Sequence, residues 1–469
     1  MYDTVTDPNV LEGYLTDASN VRGHAEVLVR PKSTEEIAQI VRHCQANQLP
    51  LTIAAGRTST TAAPVPFGGW LMSMESMNAI IDIQTDFATA QAGILLGAFQ
   101  TEIEAKGRFY PPDPTSRHEC SLGASIACNA SGARSFRYGP TRPWVEAIEV
   151  VLPTGEIRTF RRGDPVPTDW PIPQWQEPSV KTAAGYPTPK DAVDLFIGQE
   201  GTLGIITQAT VRLTDLPAEV LGILAYFPDR QSAVRFTEVA RAAARKDPLG
   251  ALSPRCIEYF DHHCLEIARH RVEVPAEARA ALFCEQETVP EHRDEAHLTA
   301  WWEALSEQGA LVDATLITDD PAGKAKLLAL RHAIPAGINE QVIRNGMPKV
   351  GTDLSVPDGA LNEMMALYEA SPMQHVLFGH IGDNHLHLNL LPKTTEELAV
   401  ARSYYLELAK RAVALGGSVS AEHGIGKLKK NQLAVMLSPA ILAEFRALKR
   451  HLDPHWILGR GTLFDPEAS

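Results

Sequence analysis

The sequence predicts an α+β protein that folds into more than one domain. The chain has 469 residues, which is too long for one ordinary hydrophobic core and suggests two or three domains. Short apolar runs with the character of strands alternate along it with capped, amphipathic helical segments. Several of the loops between them are rich in glycine, serine, alanine or proline.

Composition and charge argue against several classes of protein. The net charge of −14 argues against binding to nucleic acid or to an anionic membrane surface. No apolar run reaches membrane-spanning length, and the first residues resemble no signal peptide, so we expect a cytoplasmic protein. The six cysteines form no C-x-x-C pair, which argues against an iron–sulfur cluster or zinc ribbon and favours reduced thiols.

The first elements are a strand, a helix and a second strand. Residues 25–30 form a short β-like run, and Ser33 opens a capping signal for a helix. The apolar face of this helix comprises Ile37, Ile40 and Val41. Residues 49–53 predict the next strand, which leads into a loop of small and hydroxyl residues at 54–63. Such a loop lets backbone N–H groups approach phosphate oxygens, although an ordinary surface loop is the alternative.

A second loop region combines rigid prolines with small residues. Residues 110–116 contain Pro-Pro-Asp-Pro, which fixes an extended entry, and residues 120–132 are rich in Ser, Gly and Ala. Such a bare backbone can lie against a flat ring or a pyrophosphate. Tight helix packing by small residues is the alternative, but it does not account for the neighbouring prolines.

A third glycine-rich segment covers residues 196–207. Its three glycines are spaced by three and lie between two apolar runs. The spacing is not that of the dinucleotide fingerprint G-x-G-x-x-G. We therefore expect a hairpin whose backbone touches a cofactor.

The following part of the chain predicts strands and helices in alternation. Residues 221–227 suggest a strand, and residues 232–245 an amphipathic helix with an apolar side of Val234, Phe236, Val239 and Ala243. A strand–helix set at 282–305 and a helix at 327–342 follow. We expect an antiparallel sheet covered by helices.

Two histidine segments, 379–389 and 420–426, carry the clearest chemical signal. On a strand, His385, His387 and Asn389 share one face, and the preceding glycines allow His380 to turn back toward His387. Imidazoles with the carboxylate of Glu422 form a divalent-metal ligand set with open positions, as in catalytic sites. The alternative is a group of ordinary core and turn histidines.

These segments resemble the C-terminal half of the FAD-dependent D-2-hydroxyacid dehydrogenases, whose pattern is H-x-G-D-x-N-x-H followed by G-E-H-G-I-G. The resemblance implies that His380, His387 and Glu422 bind a divalent metal, with Zn the first choice and Mn, Fe or Co as alternatives. It also implies that His423 is the catalytic base and that Asn389 lies near the substrate. His385 replaces the family's Asn, and whether it supports a ligand or competes as one stays open.

The three loop segments, in this order, resemble the FAD-binding domain of the vanillyl-alcohol-oxidase or PCMH type. By this resemblance the residues along the flavin dinucleotide are Gly56, Thr58, Ser59, Pro112, Asp113, Ser116, Ser121, Gly123, Asn129, Gly132, Tyr138, Gly139, Gly198, Glu200, Gly201, Gly204 and Ile206. The first loop departs from the family pattern at Ala54, Ala55, Arg57, Ala62 and Ala63. Arg57 could pair with the pyrophosphate or crowd it. The family's covalent histidine is absent, so we expect non-covalent FAD.

The resemblance also implies the domain organisation. Residues 1–215 form the PCMH-type domain, residues 216–425 an α+β substrate domain with the metal site, and residues 426–469 a segment that packs back on the FAD domain. In that last segment, which usually returns to the flavin in the family, Gly459 and Arg460 replace the family's Asn and Pro.

Two basic residues are candidates for gripping a substrate carboxylate. Arg331 matches a family arginine with this role, and a guanidinium holds a carboxylate by two parallel hydrogen bonds. Lys349 is a weaker candidate because its spacing to Asp353 differs from the usual one. A solvated surface charge is the alternative for both.

The implied reaction is the oxidation of a D-lactate-like 2-hydroxy acid to a 2-oxo acid, with hydride transfer to flavin N5. The electron acceptor would be a quinone, a cytochrome or an electron-transfer flavoprotein, and a homodimer is one expected assembly. Two alternatives stay open: the flavin subunit of a multi-subunit glycolate oxidase, and a flavin-free metal-dependent protein. The histidine cluster disfavours a flavin oxidase of another alcohol.

Overall fold

The computed structural model describes residues 2–288 and 295–466. The first part of the chain, residues 2–215, contains three sheets with helices. The strands are Thr4–Val5 (β1), Val27–Val29 (β2), Leu51–Ala54 (β3), Trp70–Ser73 (β4), Ile80–Ile83 (β5), Phe87–Gln91 (β6), Arg108–Phe109 (β7), Val145–Val151 (β8), Ile157–Arg161 (β9), Ile205–Arg212 (β10) and Thr214–Asp215 (β11). The helices are Pro8–Glu12 (α1), Thr34–Asn47 (α2), Leu96–Glu104 (α3), Leu122–Cys128 (α4), Ser135–Tyr138 (α5) and Ala192–Phe196 (α6).

The strands of this part form a four-stranded and a five-stranded sheet. The order β1-β2-β4-β3 is parallel except for β1, whereas β5-β6-β10-β8-β9 is entirely antiparallel. β7 and β11 form a separate antiparallel pair. Helix α2 begins where the capping signal predicts, because the Ser33 hydroxyl accepts the Glu36 N–H at 3.2 Å. Its residues Ile37, Ile40 and Val41 are buried, as predicted.

Residues 196–207 do not form the predicted hairpin. The Asp191 carboxylate accepts the Asp194 N–H at 3.0 Å and begins α6, which ends at Phe196. A turn then leads into β10, so this segment joins a helix to a strand. The first of its two apolar runs belongs to a buried helix end rather than to a strand, a distinction that a short apolar run cannot reveal.

The second part is an eight-stranded antiparallel sheet with helices on both faces. The strands are Glu219–Phe227 (β12), Cys256–Asp261 (β13), Ala280–Thr288 (β14), Leu316–Thr318 (β15), Val350–Gly351 (β16), Leu354–Ser355 (β17), His375–His380 (β18) and His385–Leu390 (β19). Their order is β15-β12-β14-β13-β18-β19-β16, with β17 also paired to β19. The helices are Arg230–Lys246 (α7), His262–Ala268 (α8), Glu295–Glu307 (α9), Pro321–Asn345 (α10), Leu361–Glu369 (α11) and Thr395–Ala414 (α12).

Helices α10 and α8 cover one face of this sheet, and α7, α9, α11 and α12 bury the other face. Helix α7 extends the predicted helix at both ends. Val234 and Phe236 are buried as predicted, but Val239 is 38% exposed because the buried face turns through Ala240 instead. Within the described ranges there are also four short 3-10 turns: Arg142–Trp144, Val312–Ala314, Asp358–Ala360 and Ile381–Asp383.

The last segment packs back on the first part, as expected. It contains Lys430–Met436 (α13) and Pro439–Leu452 (α14). The Ile457 carbonyl accepts the Leu51 N–H at 2.7 Å, which adds the segment to the edge of β3. Lys449, in α14, donates to the Thr202 carbonyl at 2.6 Å and to Asp453 at 2.5 Å.

The described residues contain no helix that is both long and apolar enough to cross a membrane. All six cysteines are free thiols, as predicted.

Replacing Lys449 by Met should lower the free energy of unfolding by about 3–5 kcal/mol. The Asp453 carboxylate is 0% exposed and would lose its cation, which is the costly way to break a buried pair. Urea unfolding measures the loss. The control Lys430→Met removes a pair with the exposed Asp465 in the same segment and should change stability by at most about 1 kcal/mol. Equal effects of the two variants would contradict this account.

Candidate active site

A cavity of about 390 Å³ lies where the three loop segments of the first part meet the segment that carries His423. Residues 53–60 line one side, and residues of α4 together with its N-cap Ser121 line another. Glu200 and Gly201 close a third side, and Glu422 and His423 form the end wall. The cavity is therefore bounded by the loops predicted for a cofactor and by the predicted base.

The first loop presents a row of free hydrogen-bond donors to this cavity. Among the described residues, no acceptor is found for the backbone N–H groups of residues 55–60. Arg57 has φ of 54°, a left-handed conformation that is uncommon for a side-chain-bearing residue. Consecutive N–H groups in such a turn form a concavity that binds anions. Arg57 is one of the lining residues, and its guanidinium stacks on the Tyr14 ring at 4.8 Å.

The predicted cofactor residues divide into two groups. Those that line the cavity are Gly56, Thr58, Ser59, Ser116, Ser121, Gly123, Glu200, Gly201, Gly204 and Ile206. Those outside its lining are Pro112, Asp113, Asn129, Gly132, Tyr138, Gly139 and Gly198. Contact of either group with a cofactor stays a prediction.

Residues of the second group have partners within the protein. Asp113 pairs with the guanidinium groups of Arg117 and Arg134, and a Cβ at Gly132 would lie 1.8 Å from the Asp113 carbonyl oxygen. Asn129 ends α4 in a left-handed conformation. These residues therefore support the conformation of the loops from outside the cavity. Several glycines that line the cavity also leave no room for a side chain: a Cβ at Gly56, for example, would lie 1.8 Å from the Glu119 carbonyl oxygen.

Glu200 joins the cavity wall to the segment that carries His423. Its two carboxylate oxygens accept the N–H groups of Ile425 and Gly426, each at 2.8 Å. Burial raises the pKa of Glu200 to about 7, although these two N–H donors oppose the shift. Its position beneath Gly424 also leaves no room for a side chain there, because a Cβ would lie 2.8 Å from the carboxylate.

The predicted metal ligands converge on one carboxylate oxygen. The Nε2 atoms of His380 and His387 each lie 3.4 Å from Oε1 of Glu422. Strands β18 and β19 form a hairpin through the turn at Ile381–Asp383, which places His380 beside His387 as the glycine-bend argument predicts. With His385, the ligand atoms of this group lie within 4.8 Å of one another.

The Nδ1 atoms of His380 and His387 already have hydrogen-bond partners. Nδ1 of His387 donates to the Thr352 carbonyl at 3.0 Å, and Nδ1 of His380 donates to the Glu258 carboxylate at 2.5 Å. Both Nε2 atoms therefore face the cluster, which is how metal-binding histidines are oriented. Burial lowers the pKa of His380, but Glu258 and Glu422 outweigh it and raise the value to about 10. Two carboxylates thus favour a cation at this position, so the donor set fits a divalent metal.

His385 is completely buried beside this group. Its Nε2 lies 3.0 Å from Asp353 Oδ1, and its Nδ1 lies 3.9 Å from Glu422 Oε2. Burial, reinforced by the charge of Lys181, lowers its pKa well below the ordinary value, so the ring is neutral. It faces the oxygen of Glu422 that the other two imidazoles do not use.

His423 stands at the junction of the cavity and the cluster. Its ring stacks on His387 at 5.1 Å between centroids, and its Nε2 lies 3.6 Å from Glu422 Oε1. About a third of the side chain is exposed toward the cavity. Desolvation lowers the pKa of His423 to about 4, against the influence of Asp353. The imidazole is therefore neutral near pH 7 and able to accept a proton.

Asp353 holds the His423 segment in place, a role that no sequence pattern indicates. Its carboxylate accepts the N–H groups of Glu422 and His423 at 3.2 and 3.0 Å. It also accepts the Ser420 hydroxyl at 2.6 Å and the Lys429 ammonium at 2.8 Å. Sequence reasoning also misses Glu258, Ser131 and Lys181, which contact the ligands. No spacing rule signals them, because they lie far apart along the chain.

Arg331 and Lys349 lie on the sheet face that carries the imidazole cluster. Neither has a carboxylate partner among the described residues. The Arg331 guanidinium lies 4.7 Å from the centroid of the Phe283 ring, and Glu258 and Glu285 raise its pKa although burial opposes them. Lys349 donates to Asn389 Oδ1 at 3.0 Å. Desolvation lowers the Lys349 pKa. These cations are available to an anionic ligand.

Two family models match the chain over most of its length. Residues 25–161 match the FAD binding domain, and residues 216–463 match the C-terminal domain of FAD linked oxidases. The chain belongs to the FAD-linked oxidases. FAD is accordingly its cofactor, which contradicts the flavin-free alternative. The free N–H groups of residues 55–60 offer the anion site that a pyrophosphate requires.

The names of several relatives of this FAD-linked oxidase refer to 2-hydroxy acids. A D-2-hydroxyglutarate dehydrogenase from Xanthomonas citri pv. viticola is 32% identical over 98% of this chain and 94% of its own length. The glycolate oxidase subunit GlcD of Bacillus subtilis is 29% identical over 94% of this chain and 90% of its own. A D-lactate dehydrogenase from Anaerostipes hadrus is 29% identical over 96% and 92%.

Solved structures confirm the predicted PCMH-type fold. p-Cresol methylhydroxylase superposes with a TM-score of 0.72 over 99% of this chain and 95% of its own, at 14% identity. An alkyldihydroxyacetonephosphate synthase superposes with a TM-score of 0.68 over 97% and 81%, at 17% identity. At these identities the likeness concerns the fold alone.

Replacing Asp353 by Asn should lower the free energy of unfolding by about 3–5 kcal/mol. The substitution keeps the shape but leaves the Lys429 ammonium, 9% exposed, without its anion. It also presents an amide N–H₂ to a backbone N–H, because each Asp353 oxygen accepts one such group, from Glu422 or from His423. Chemical denaturation followed by fluorescence measures the change. Asp215→Asn, at a carboxylate that is 90% exposed, is the control and should cost at most about 1 kcal/mol. A loss for Asp353→Asn no larger than that of the control would refute the role given to this carboxylate.

Proposed function

We propose that this FAD-linked oxidase oxidises a D-2-hydroxy acid of the D-lactate type to the 2-oxo acid, with His423 as base. One observation carries the proposal. Glu422 and His423, adjacent in sequence, lie at once on the wall of the flavin cavity and in the imidazole cluster. A substrate held at this junction would face the base, the ligand set and the flavin together.

The substrate would be held by its carboxylate. Arg331 is the main candidate, because its guanidinium lies on the sheet face that carries the cluster and has no ion-pair partner among residues 2–288 and 295–466. Asn389 shares the β19 face with His387, two residues away, and orients the Lys349 ammonium. These contacts would fix the α-carbon and direct the hydroxyl toward His423.

His380, His387 and Glu422 would hold a divalent metal, zinc first, with Mn, Fe or Co as alternatives. Such an ion, when bound, makes a nearby hydroxyl more acidic. The Nδ1 bonds of both imidazoles keep their Nε2 atoms aimed at this position.

The reaction removes a proton and a hydride from the substrate. His423 would take the hydroxyl proton at Nε2, the nitrogen that faces the cluster, and Asp353 would stabilise the imidazolium from the Nδ1 side at 3.7 Å. The electron pair of the broken O–H bond then forms the second C–O bond as hydride leaves the α-carbon. FAD, when bound, accepts this hydride.

His423→Ala should lower the rate of flavin reduction about 10²–10⁴-fold, because a general base of this kind contributes that much. FAD content should stay that of the wild type. Stopped-flow absorbance under anaerobic conditions measures the rate, and the control is His455→Ala, at an exposed histidine of the last segment. More than about a tenth of wild-type activity in His423→Ala would exclude His423 as the base.

Anaerobic mixing with D-lactate, D-2-hydroxyglutarate and glycolate tests the substrate class and the metal together. We expect one of these acids to bleach the flavin absorbance, and prior treatment with a chelator to abolish the bleaching because the hydroxyl then keeps its ordinary pKa. Re-addition of Zn²⁺ or Mn²⁺ should restore it. Bleaching that survives complete metal removal would contradict the metal's role, and a yellow protein that no acid bleaches would contradict the substrate class.

A second candidate is the flavin subunit of a glycolate oxidase. The similarity to GlcD over 94% of the chain favours it. Turnover of the purified chain alone with an artificial electron acceptor would argue against a need for partner subunits.

A further inference from the structure

Glu422 uses its two oxygens for different partners. Oε1 faces the Nε2 atoms of His380 and His387. Oε2 accepts the Lys181 ammonium at 3.1 Å and the Ser131 hydroxyl at 3.1 Å. The two oxygens of Glu422 therefore differ: Oε1 faces the imidazole cluster, and Oε2 already accepts two hydrogen bonds.

Lys181 is itself fixed in place. Its side chain is 5% exposed, and it comes from the loop between β9 and α6 rather than from the substrate-domain sheet. The ammonium also contacts the Ser135 hydroxyl at 3.0 Å and the Asp383 carboxylate at 3.7 Å. The Lys181 carbonyl accepts the Ser355 hydroxyl at 2.6 Å. A buried ammonium with these partners has little freedom to leave Glu422.

We infer that Lys181 is a positioning residue that keeps Glu422 a one-oxygen ligand. This inference rests on the proposed metal centre. With Oε2 bonded to Lys181 and Ser131, only Oε1 is free to bind a metal, so coordination positions stay available to the substrate. Without Lys181, Oε2 would be free to bind the metal as well and would compete with the substrate for it.

The substitution therefore has effects of opposite sign on metal and substrate. Lys181→Met removes a positive charge 3.1 Å from a ligand and frees a second donor oxygen, so the metal should bind more tightly. The substrate should bind more weakly because its position is taken. A lysine that only supports the fold would instead weaken metal, flavin and substrate binding together.

The experiment uses the FAD-loaded protein and Zn²⁺ as the probe. For Lys181→Met we expect the Zn²⁺ dissociation constant, measured by competition with a chromophoric chelator, to fall about tenfold, and KM for the substrate acid to rise about tenfold, within the range known for groups that contact ligands. In the Co²⁺-substituted protein, visible absorption should weaken, as it does when the coordination number rises. Lys181→Arg should stay near wild type.

Two further variants keep the test decisive. Ser131→Ala removes the other donor to Oε2 and should shift both constants in the same directions by a smaller factor, which serves if Lys181→Met folds poorly. Lys190→Met, at an exposed lysine of the same loop, should change neither constant. Weaker Zn²⁺ binding, or an unchanged KM, in both Lys181→Met and Ser131→Ala would overturn the inference. A wild type that binds no divalent metal would instead overturn the metal centre itself.

Discussion

The active site depends on one buried carboxylate, that of Asp353. It is completely inaccessible to solvent, yet charged, because an ammonium, a hydroxyl and two backbone N–H groups surround it. Those N–H groups belong to Glu422 and His423. The same carboxylate also lies beside His385. Asp353 therefore fixes the segment that carries Glu422 and His423 and contacts the imidazole cluster through His385.

The two parts of the chain are joined where their chemistry has to meet. Glu200, from the first part, binds the backbone just after His423, and the Thr61 carbonyl accepts the Lys427 N–H at 2.8 Å. The segment with His423 is thus held from the FAD-binding part by Glu200 and from the second part by Asp353. Because reduction of a flavin requires close contact with the α-carbon, this double attachment sets the position of His423 relative to both parts of the chain.

The sequence predicts the local arrangement of the histidines well, and the long-range support of the site poorly. The period of two and the glycines at 379 and 382 are enough to place His380 and His387 together, because a hairpin is local. The hairpin expected at 196–207 is wrong, because a short apolar run does not distinguish the end of α6 from a strand. Asp353 and Lys181 leave no trace in the pattern. They act on residues that are distant in sequence, and a single buried charge has no periodicity.

The last segment packs on β3 and on the Thr202 carbonyl, and this affects the order in which the two parts of the protein can complete their folding. The flavin-binding part is synthesised first, but an edge of its sheet stays unpaired until residues 449–464 have left the ribosome. During that interval the substrate part can already have collapsed, since its sheet is built from one continuous stretch of chain. The flavin-binding part is thus synthesised first but completes its folding last. Until then, the unpaired edge of its sheet is the place where the nascent chain would need protection from incorrect strand pairing.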